Sequence, residues 1–195
     1  MINKALEILR DEIHDFLKLK PDLNIGNQQT ISLSNIVDSD GKIEIPDNSL
    51  GLTLVNIEEE RVMKSQTASA VNNNTVTYFN PEIKLNLYIL ITTNFGDYPT
   101  ALKYISYVIS FFQSKNVFNH QNSPKLDAQI EKLILDLYTV TFEQQNYLWG
   151  ALGSKLLPSV MYKVRMLVVQ ENLAQADMPP IQTLGISEKS ISPVQ

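Results

Sequence analysis

Apolar residues recur every three or four positions in three parts of the chain, which is the spacing of amphipathic helices. The first predicted helix ends before Pro21, and its apolar stripe consists of Ile2, Leu6, Leu9, Ile13 and Phe16. Asp97 can cap the second helix, which has Pro99 in its first turn. The predicted buried stripe of this second helix consists of Ala101, Ile105, Val108, Ile109 and Phe112.

The third predicted helix carries the only tryptophan of the chain. It begins after Thr141, which has the spacing of a capping box with Gln144, and it ends at Gly153. The residues that share its predicted apolar face are Phe142, Trp149 and Leu152. A tryptophan at such a position more often fills a core than binds a ligand or an interface, so we expect Trp149 to be a core anchor.

Strict alternation of apolar and polar residues predicts four main strands, which span residues 50–63, 83–92, 133–137 and 160–170. The alternation in the first strand predicts two faces, one with Leu52 and Leu54 and the other with Thr53, Val55 and Ile57. The helices and strands follow one another in an order that favours an α+β fold. In that fold the helices pack on a single mixed or antiparallel sheet of about four main strands.

Three further stretches lack a long periodic pattern. Residues 24–45 predict a loop or a short hairpin with a turn at Asp40-Gly41. Residues 65–77 are rich in Ser, Asn and Thr, which predicts a mobile loop.

We expect residues 1–172 to form one domain and residues 173–195 to form a C-terminal tail, the third of these stretches. The stretch from Thr183 to Ser187 could add as a strand to a neighbour's sheet edge, or the tail could pack on its own domain.

Composition narrows the function classes without pointing to one. The 195 residues carry a formal net charge of -5 and a pI of about 5.0, which argues against nucleic acid as a partner because phosphate binding requires a basic surface. The absence of cysteine excludes disulfides and thiolate chemistry. The N-terminal residues lack the apolar core of a signal peptide, and no apolar run is long enough to cross a bilayer as a helix. We therefore expect no membrane insertion, and folding in the cytoplasm.

No pattern of residues predicts a catalytic, cofactor or metal site. His14 and His120 have no second metal ligand at a recognisable spacing, so we expect surface or structural roles for both. The serines lack the Gly-x-Ser-x-Gly context of a hydrolase nucleophile. An enzyme is therefore not supported by the residues, and we expect neither a cofactor nor a metal.

The run from Glu58 to Arg61 is the sharpest charged cluster of the chain. Adjacent residues of a strand point to opposite faces, so only Glu58 and Glu60 can lie side by side. Two carboxylates can serve acid–base chemistry or bind a cation, but such a run is more often a charged strand end or a partner for basic residues of a neighbouring subunit. Lys163 and Arg165 lie on the polar face of the last predicted strand. The interface candidates are Glu58, Glu60, Arg61, Lys163, Arg165, Thr183, Leu184 and Ile186.

Three segments taken together resemble a known family. They are LGLTLVNIEEERVMKSQ (residues 50–66), LNLYILITTNFGDYPTALKYISYVISFFQSKNVF (residues 85–118) and FEQQNYLWGALGSKLLPSVMYKVRML (residues 142–167). Their order and spacing are similar to those of the cap, or tail-terminator, proteins of phage-tail-like extracellular contractile injection systems. These systems are of the Photorhabdus virulence cassette and antifeeding prophage type.

The resemblance implies a structural role without catalytic residues. Family members form six-fold rings at the end of the tube and sheath distal to the baseplate, where the ring stops polymerisation and holds the sheath to the tube. The implied partners are further copies of the chain, the sheath and tube proteins, and a second cap paralogue. Assembly is expected in the bacterial cytoplasm, as part of a particle that is either released from the cell or membrane-associated. The tail is expected to be an intersubunit arm. The alternatives are another adaptor ring at the baseplate or tube start, a small carboxylate-dependent hydrolase, or a monomeric ligand-binding domain.

Overall fold

Three helices and nine strands make up the part of the chain that the computed structural model describes, which is every residue except 24, 26, 27, 61–67, 73–74, 80–83, 169–175 and 179–195. The helices are α1 (Ile2–Lys18), α2 (Tyr98–Ser114) and α3 (Phe142–Leu152), and a 3-10 turn covers Pro21–Leu23. The strands are β1 (Ile31–Leu33), β2 (Ser49–Glu59), β3 (Ala68–Asn72), β4 (Thr75–Phe79), β5 (Leu85–Asn94), β6 (Val117–Asn119), β7 (Ile130–Leu137), β8 (Ser159–Val168) and β9 (Ala176–Met178). They divide between a main unit, residues 1–63 and 83–170, and a small unit, residues 64–82 and 171–195.

The main unit contains a six-stranded sheet in the order β1-β2-β5-β8-β7-β6. The short β1 runs parallel to β2, and the other neighbours are antiparallel, so the sheet is mixed. The predicted α+β class is confirmed. The sheet has two more strands than the four main ones that the alternation predicts. Both of them, β1 and β6, are three residues long, which is too short to give a periodic signal.

The helices α1 and α2 pack on the first face of the sheet. The buried residues of α1 are Ala5, Leu6, Ile8, Leu9, Ile13 and Leu17, and they meet apolar side chains of the strands and of α2 in one large core. The aromatic rings of Phe111, Phe112, Phe118 and Tyr162 lie in contact within this core. Each fully buried aliphatic or aromatic side chain contributes about 1.5–3 kcal/mol by removal from water, so this face carries most of the apolar stabilisation.

A polar clamp joins α1 to the end of α2. The Lys115 ammonium lies 2.9 Å from a Glu12 carboxylate oxygen and donates a hydrogen bond to the Ser123 hydroxyl, and Ser123 donates to the other Glu12 oxygen at 2.7 Å. Ser123 is buried, and the two charged side chains are about three-quarters buried. The clamp therefore satisfies the polar groups where the helices and the loop after β6 converge.

The helix α3 and residues 34–48 cover part of the second face of the sheet. Their core consists of Ile36, Ile45, Leu90, Trp149 and Met161. The predicted capping box of Thr141 and Gln144 is present, and Gly153 ends the helix in a left-handed conformation. The interpretation of Trp149 as a core residue is confirmed. The predicted apolar face is wrong for Phe142, which is 91% exposed, because it lies at the first turn of α3, two turns before the contact at Trp149.

The predicted turn at Asp40-Gly41 closes a small hairpin. Val37 pairs with Ile43 in an isolated antiparallel bridge, and Gly41 adopts a φ of 77°. The Asp38 carboxylate accepts hydrogen bonds from the backbone N–H groups of residues 40 and 42. The short-hairpin alternative for this stretch is therefore confirmed.

A bulge in β2 reverses the alternation of its side chains. Leu54 pairs with Ile89 and Asn56 pairs with Tyr88, which leaves Val55 as an extra residue. After the bulge, Ile57 pairs with Leu87, a core residue of the first face. The prediction that Ile57 faces the same way as Thr53 is therefore wrong, because an alternation count cannot anticipate the added residue.

The small unit contains a three-stranded antiparallel sheet in the order β3-β4-β9. The predicted mobile loop over residues 65–77 is wrong for the described residues, because β3 and β4 form a hairpin there. Ala68 stands opposite Phe79 at one end of the hairpin, and Asn72 stands opposite Thr75 at the other. The β-branched residues of this stretch favour extended backbone, a signal that the Ser- and Asn-rich composition obscures. The division of the chain near residue 172 and the arm role of the tail stay predictions.

None of the helices in the described part is long and apolar enough to span a membrane.

Candidate assembly surface

Polar side chains from four strands meet on the part of the second face that α3 does not cover. The pairing of β2, β5, β8 and β7 aligns Glu58 with Asn86, Asn86 with Arg165, and Arg165 with Ile134. The neighbouring row aligns Tyr88 with Lys163 and Lys163 with Asp136. We call this surface the charged sheet face, and it consists of Glu58, Glu60, Asn86, Tyr88, Asp136, Lys163 and Arg165.

The two candidate glutamates lie on the same face, as the alternation predicts. The Tyr88 hydroxyl donates a hydrogen bond to Glu58 Oε2 at 2.8 Å, and Asn86 Nδ2 donates to Glu60 Oε2 at 3.0 Å. Glu59, between them, pairs across β5 with Leu85, whose side chain packs toward the first face. Each of the two carboxylates is thus held by a neutral donor from β5.

The two candidate basic residues contact carboxylates of this face, Lys163 beside Glu60 and Arg165 beside Asp136. Lys163 Nζ lies 4.0 Å from Glu60 Oε2 and 5.9 Å from the centre of the Tyr88 ring. Arg165 Nη2 lies 2.8 Å from Asp136 Oδ2, with both side chains about half exposed. Exposed ion pairs of this kind contribute about 0–1 kcal/mol to stability. Their stronger effect is on recognition, since a fixed pattern of both signs selects a partner with the complementary pattern.

Tyr88 fixes the position of Glu58. Burial, with a smaller effect from the hydrogen bond to Glu58, raises the pKa of Tyr88 to about 12. The hydroxyl therefore stays protonated and keeps donating to the carboxylate. Its ring also packs edge-on against Tyr138, with the ring centres 5.0 Å apart. The carboxylate side of the charged sheet face is preorganised as a result.

The arrangement does not assemble a recognisable catalytic set. Within the described ranges, no group of three or more His, Asp or Glu side chains is placed to hold a metal ion. Glu58 and Glu60 accept hydrogen bonds from the neutral side chains of Tyr88 and Asn86. What the surface offers chemically is charge and hydrogen-bonding groups of both kinds on a rigid sheet.

Sequence reasoning found four of the seven residues of the charged sheet face and missed Asn86, Tyr88 and Asp136. The alternation of β5 places Asn86 and Tyr88 on its polar face, but only the strand register shows that they hold Glu60 and Glu58. The remaining candidates, Arg61, Thr183, Leu184 and Ile186, lie outside the described residues. Their interface roles stay predictions.

A second exposed surface is apolar. Tyr98 and Leu102 of α2 and Leu156, after α3, are 64%, 43% and 63% exposed, and they border a cleft of about 300 Å³. Exposed apolar groups that lie together on a rigid scaffold often mark contacts between proteins. This cluster spans two parts of the sequence, so no single periodic pattern could reveal it.

The family model described as the Pvc16 N-terminal domain matches residues 5–183. The chain belongs to the Pvc16 N-terminal domain family. This membership confirms the family resemblance that the three sequence segments predict. A comparison with curated proteins finds no match.

Two solved structures share the fold of this family member. One is the sheath/tube terminator of the extracellular contractile injection system PVC in its extended state. The two structures superpose with a TM-score of 0.62 at 12% sequence identity, and the match covers 100% of this chain and 65% of that one. The other is the tube-terminating cap of the anti-feeding prophage, with a TM-score of 0.54, 12% identity, and coverage of 95% and 59%. The chain thus spans about three-fifths of the length of these proteins. At this identity the likeness establishes the fold.

Proposed function

We propose that this Pvc16-family chain acts as a structural cap of a contractile injection particle. In this role it forms a ring, six-fold by the family resemblance, that terminates the tube and sheath distal to the baseplate and holds one to the other. The observation that carries the proposal is the family match over residues 5–183, and the fold shared with a terminator and a cap supports it.

The charged sheet face fits the needs of a ring. A ring requires head-to-tail contacts in which two different surfaces of each subunit meet and the rotation closes. A rigid sheet that presents fixed charges of both signs can set the angle between two subunits. A wrong angle would bring like charges of the two subunits together, and these repel each other. Lys163 and Arg165 are the basic residues of this surface, and Glu58, Glu60 and Asp136 are its carboxylates.

The partners in this proposal are other copies of the chain, the sheath and tube proteins, and a second cap paralogue. Assembly takes place in the bacterial cytoplasm, before the particle is released. The role is non-enzymatic. The two rival roles are an adaptor ring at the other end of the tube and a hydrolase that uses Glu58 or Glu60.

Particle length is the measurement that tests the cap role. Deletion of the gene from a bacterium that makes the particles should broaden the distribution of tube and sheath lengths in electron micrographs, because polymerisation is no longer stopped. The intact gene should restore uniform length. Particles that stay uniform and capped without the protein would sink the proposal, and loss of the baseplate end would favour an adaptor ring.

Charge variants connect the role to the charged sheet face. Arg165→Glu should prevent restoration of length, because it reverses a charge of that surface, yet it should change stability by only about 1 kcal/mol since the side chain is half exposed. Lys125→Glu, at an exposed lysine outside the surface, is the matched control. Glu58→Gln and Glu60→Gln should remove no hydrolytic turnover, and a lost turnover would support the hydrolase.

A further inference from the structure

A cleft of about 410 Å³ opens at the end of the sheet where β2 and β8 end and where β5 and β7 begin. It adjoins the charged sheet face and shares Glu60, Asn86 and Arg165 with it. Ile134 and Leu167 give it apolar walls, and Lys84 and Lys132 add positive charge. Leu167 of β8 pairs with Lys132 of β7 on one side. On its other side, Met166 pairs with Leu85 of β5, and Lys84 is the residue before Leu85. The two lysines therefore flank Leu167.

Asn86, one of the residues that line this cleft, keeps a buried acceptor without a partner. The residue is only 3% exposed, and its Nδ2 is used by the hydrogen bond to Glu60. Its Oδ1 is buried and receives no hydrogen bond. An unmet buried acceptor of this kind destabilises the fold, and native proteins rarely keep one without a reason. A ligand that brings an N–H group into the cleft would remove this penalty.

The charge of the cleft is opposite to that of the whole chain. Its described lining includes the three cations Lys84, Lys132 and Arg165 and one carboxylate, Glu60, whereas the chain carries a net charge of -5. Arg165 is already paired with Asp136. Within the described part of the chain, the Lys132 ammonium has neither an ion pair nor a hydrogen bond, and its side chain is partly buried. Lys132 is therefore the cation that is available to an incoming anion.

We propose that this cleft binds an extended segment of another protein that carries a glutamate. In this complex a backbone N–H of the segment donates to Asn86 Oδ1, the glutamate carboxylate binds Lys132, and a neighbouring apolar side chain packs on Leu167 and Ile134. The inference does not depend on the cap role, since it follows from the chemistry of the cleft alone.

The spacing of the groups favours a glutamate side chain over the carboxylate of a chain terminus. Asn86 lies on β5 and Lys132 on β7, with β8 between them, and Lys132 is two residues away from Ile134, which stands in register with Asn86. Two strand spacings and two residues along the strand place their backbones about 12 Å apart. A terminal carboxylate lies next to the N–H of its own residue. A glutamate side chain carries its carboxylate away from the backbone. It therefore fits better the separation between Asn86, which takes the backbone N–H, and Lys132, which takes the carboxylate.

The test is an NMR titration of the isotope-labelled full chain with three short peptides. The first is acetyl-Gly-Val-Glu-Val-Gly-amide, the second has glutamine in place of the glutamate, and the third has that glutamine and a free C-terminal carboxylate. The side-chain amide signals of Asn86 report directly on the cleft. The first peptide should shift these signals at millimolar concentration and bind about threefold or more tightly than the second, as one ion pair predicts.

Variants separate the cleft from nonspecific attraction. Lys132→Gln should abolish the preference for the glutamate peptide, whereas Lys125→Gln, at an exposed lysine elsewhere, should leave it intact. Equal binding of the first two peptides, shifts away from Asn86, no shift at all, or an unchanged preference in Lys132→Gln would each overturn the proposal. Tighter binding of the third peptide than of the first would show that the cleft takes a chain terminus instead.

Discussion

At the scale of single residues, Gly51 decides how closely residues 34–48 can approach β2. A Cβ atom at this position would lie 2.6 Å from Cδ1 and Cγ1 of Ile45, which is itself buried in the second core. The missing side chain therefore makes room for Ile45 on the sheet. The glycine is required here by close approach and not by an unusual backbone angle.

Replacement of Gly51 should therefore overpack the core. Gly51→Ala should lower the free energy of unfolding by about 1–3 kcal/mol, measured by urea denaturation, because Ile45 must move or leave its rotamer. Gly150→Ala is the matched control, since a Cβ there meets nothing within 4 Å and α3 would gain a better helix former. Equal midpoints for the two variants would contradict this account.

His14 is a second residue whose role depends on its surroundings. Its Nδ1 lies 2.8 Å from the Thr30 hydroxyl and 3.4 Å from the backbone N–H of Thr30, which can only donate. The ring thereby ties α1 to the start of β1. Burial, and then the charge of Lys18, lower the pKa of His14 below its ordinary value of 6.5, with a smaller opposing effect from Asp15.

The stability of the protein should therefore fall in mild acid. Because the folded pKa of His14 lies below the unfolded value, its contribution is complete above pH 6.5 and is lost as the pH falls toward the folded pKa. The free energy of unfolding, measured by urea denaturation at pH 7.5 and pH 5, should drop less in His14→Gln than in the unchanged protein. His120→Gln, at an exposed histidine, should behave like the unchanged protein. An identical drop in all three proteins would refute the assignment.

At the scale of elements, α3 is stabilised by caps at its ends and by one buried side chain, with Leu148 and Leu152 packed partly buried against the same core. The capping box at Thr141 and the left-handed Gly153 satisfy the backbone groups at its two ends, and Trp149 is the only fully buried residue of the helix. Most other side chains of α3 are exposed, so the helix docks on the sheet mainly through the tryptophan. Trp149 serves the scaffold in this position.

Loss of Trp149 should thus undock α3. Trp149→Ala should lower the free energy of unfolding by about 3–5 kcal/mol, because a large buried ring is replaced by a cavity. Tyr147→Ala on the same helix should change it by at most about 0.5 kcal/mol, since that ring is 67% exposed. Thermal and urea unfolding, followed by circular dichroism, measure both. A mild effect at Trp149 would mean that other contacts hold α3.

At the scale of the whole molecule, we expect the C-terminal tail to serve association more than stability. The two apolar cores lie in the main unit, residues 1–63 and 83–170, whereas the C-terminal residues belong to the small unit. The interface candidates Thr183, Leu184 and Ile186 belong to that C-terminal region, and their alternation suits an added strand.

A chain that ends at residue 171 should accordingly lose association more than stability. We expect the concentration for half-assembly to rise about tenfold or more, equivalent to about 1.4 kcal/mol, while the unfolding of the main unit changes little. Light scattering across a concentration series measures the first quantity and urea denaturation the second. The full-length variant Leu184→Asp with Ile186→Asp keeps the chain length and should have the same effect. Equal ring yield from the truncated chain would reject the arm.

The sequence by itself determined the elements whose signals are local. The periodicity of α1, the caps of α2 and α3, the turn at Gly41 and the long alternating strands all depend on neighbours within a few residues, and the alternation also places Glu58 and Glu60 on one common face. The order and spacing of three such segments also identified the family. Where a local rule failed, as at Ile57 after the bulge, one added residue reversed the alternation.

Only the tertiary structure decided what those elements bring together. The pairing of Glu58 with Tyr88, of Glu60 with Asn86, and of Arg165 with Asp136 depends on the strand order β2-β5-β8-β7. That order joins residues as distant in the sequence as Leu85 and Met166. The close approach of Ile45 to Gly51 and the cleft around Lys132 arise from the same folding. The pattern of apolar residues shows which side of a helix or strand is buried. It does not show against which neighbour, because hydrophobic burial is non-directional. Which neighbour covers that side is decided only when the sheet register forms.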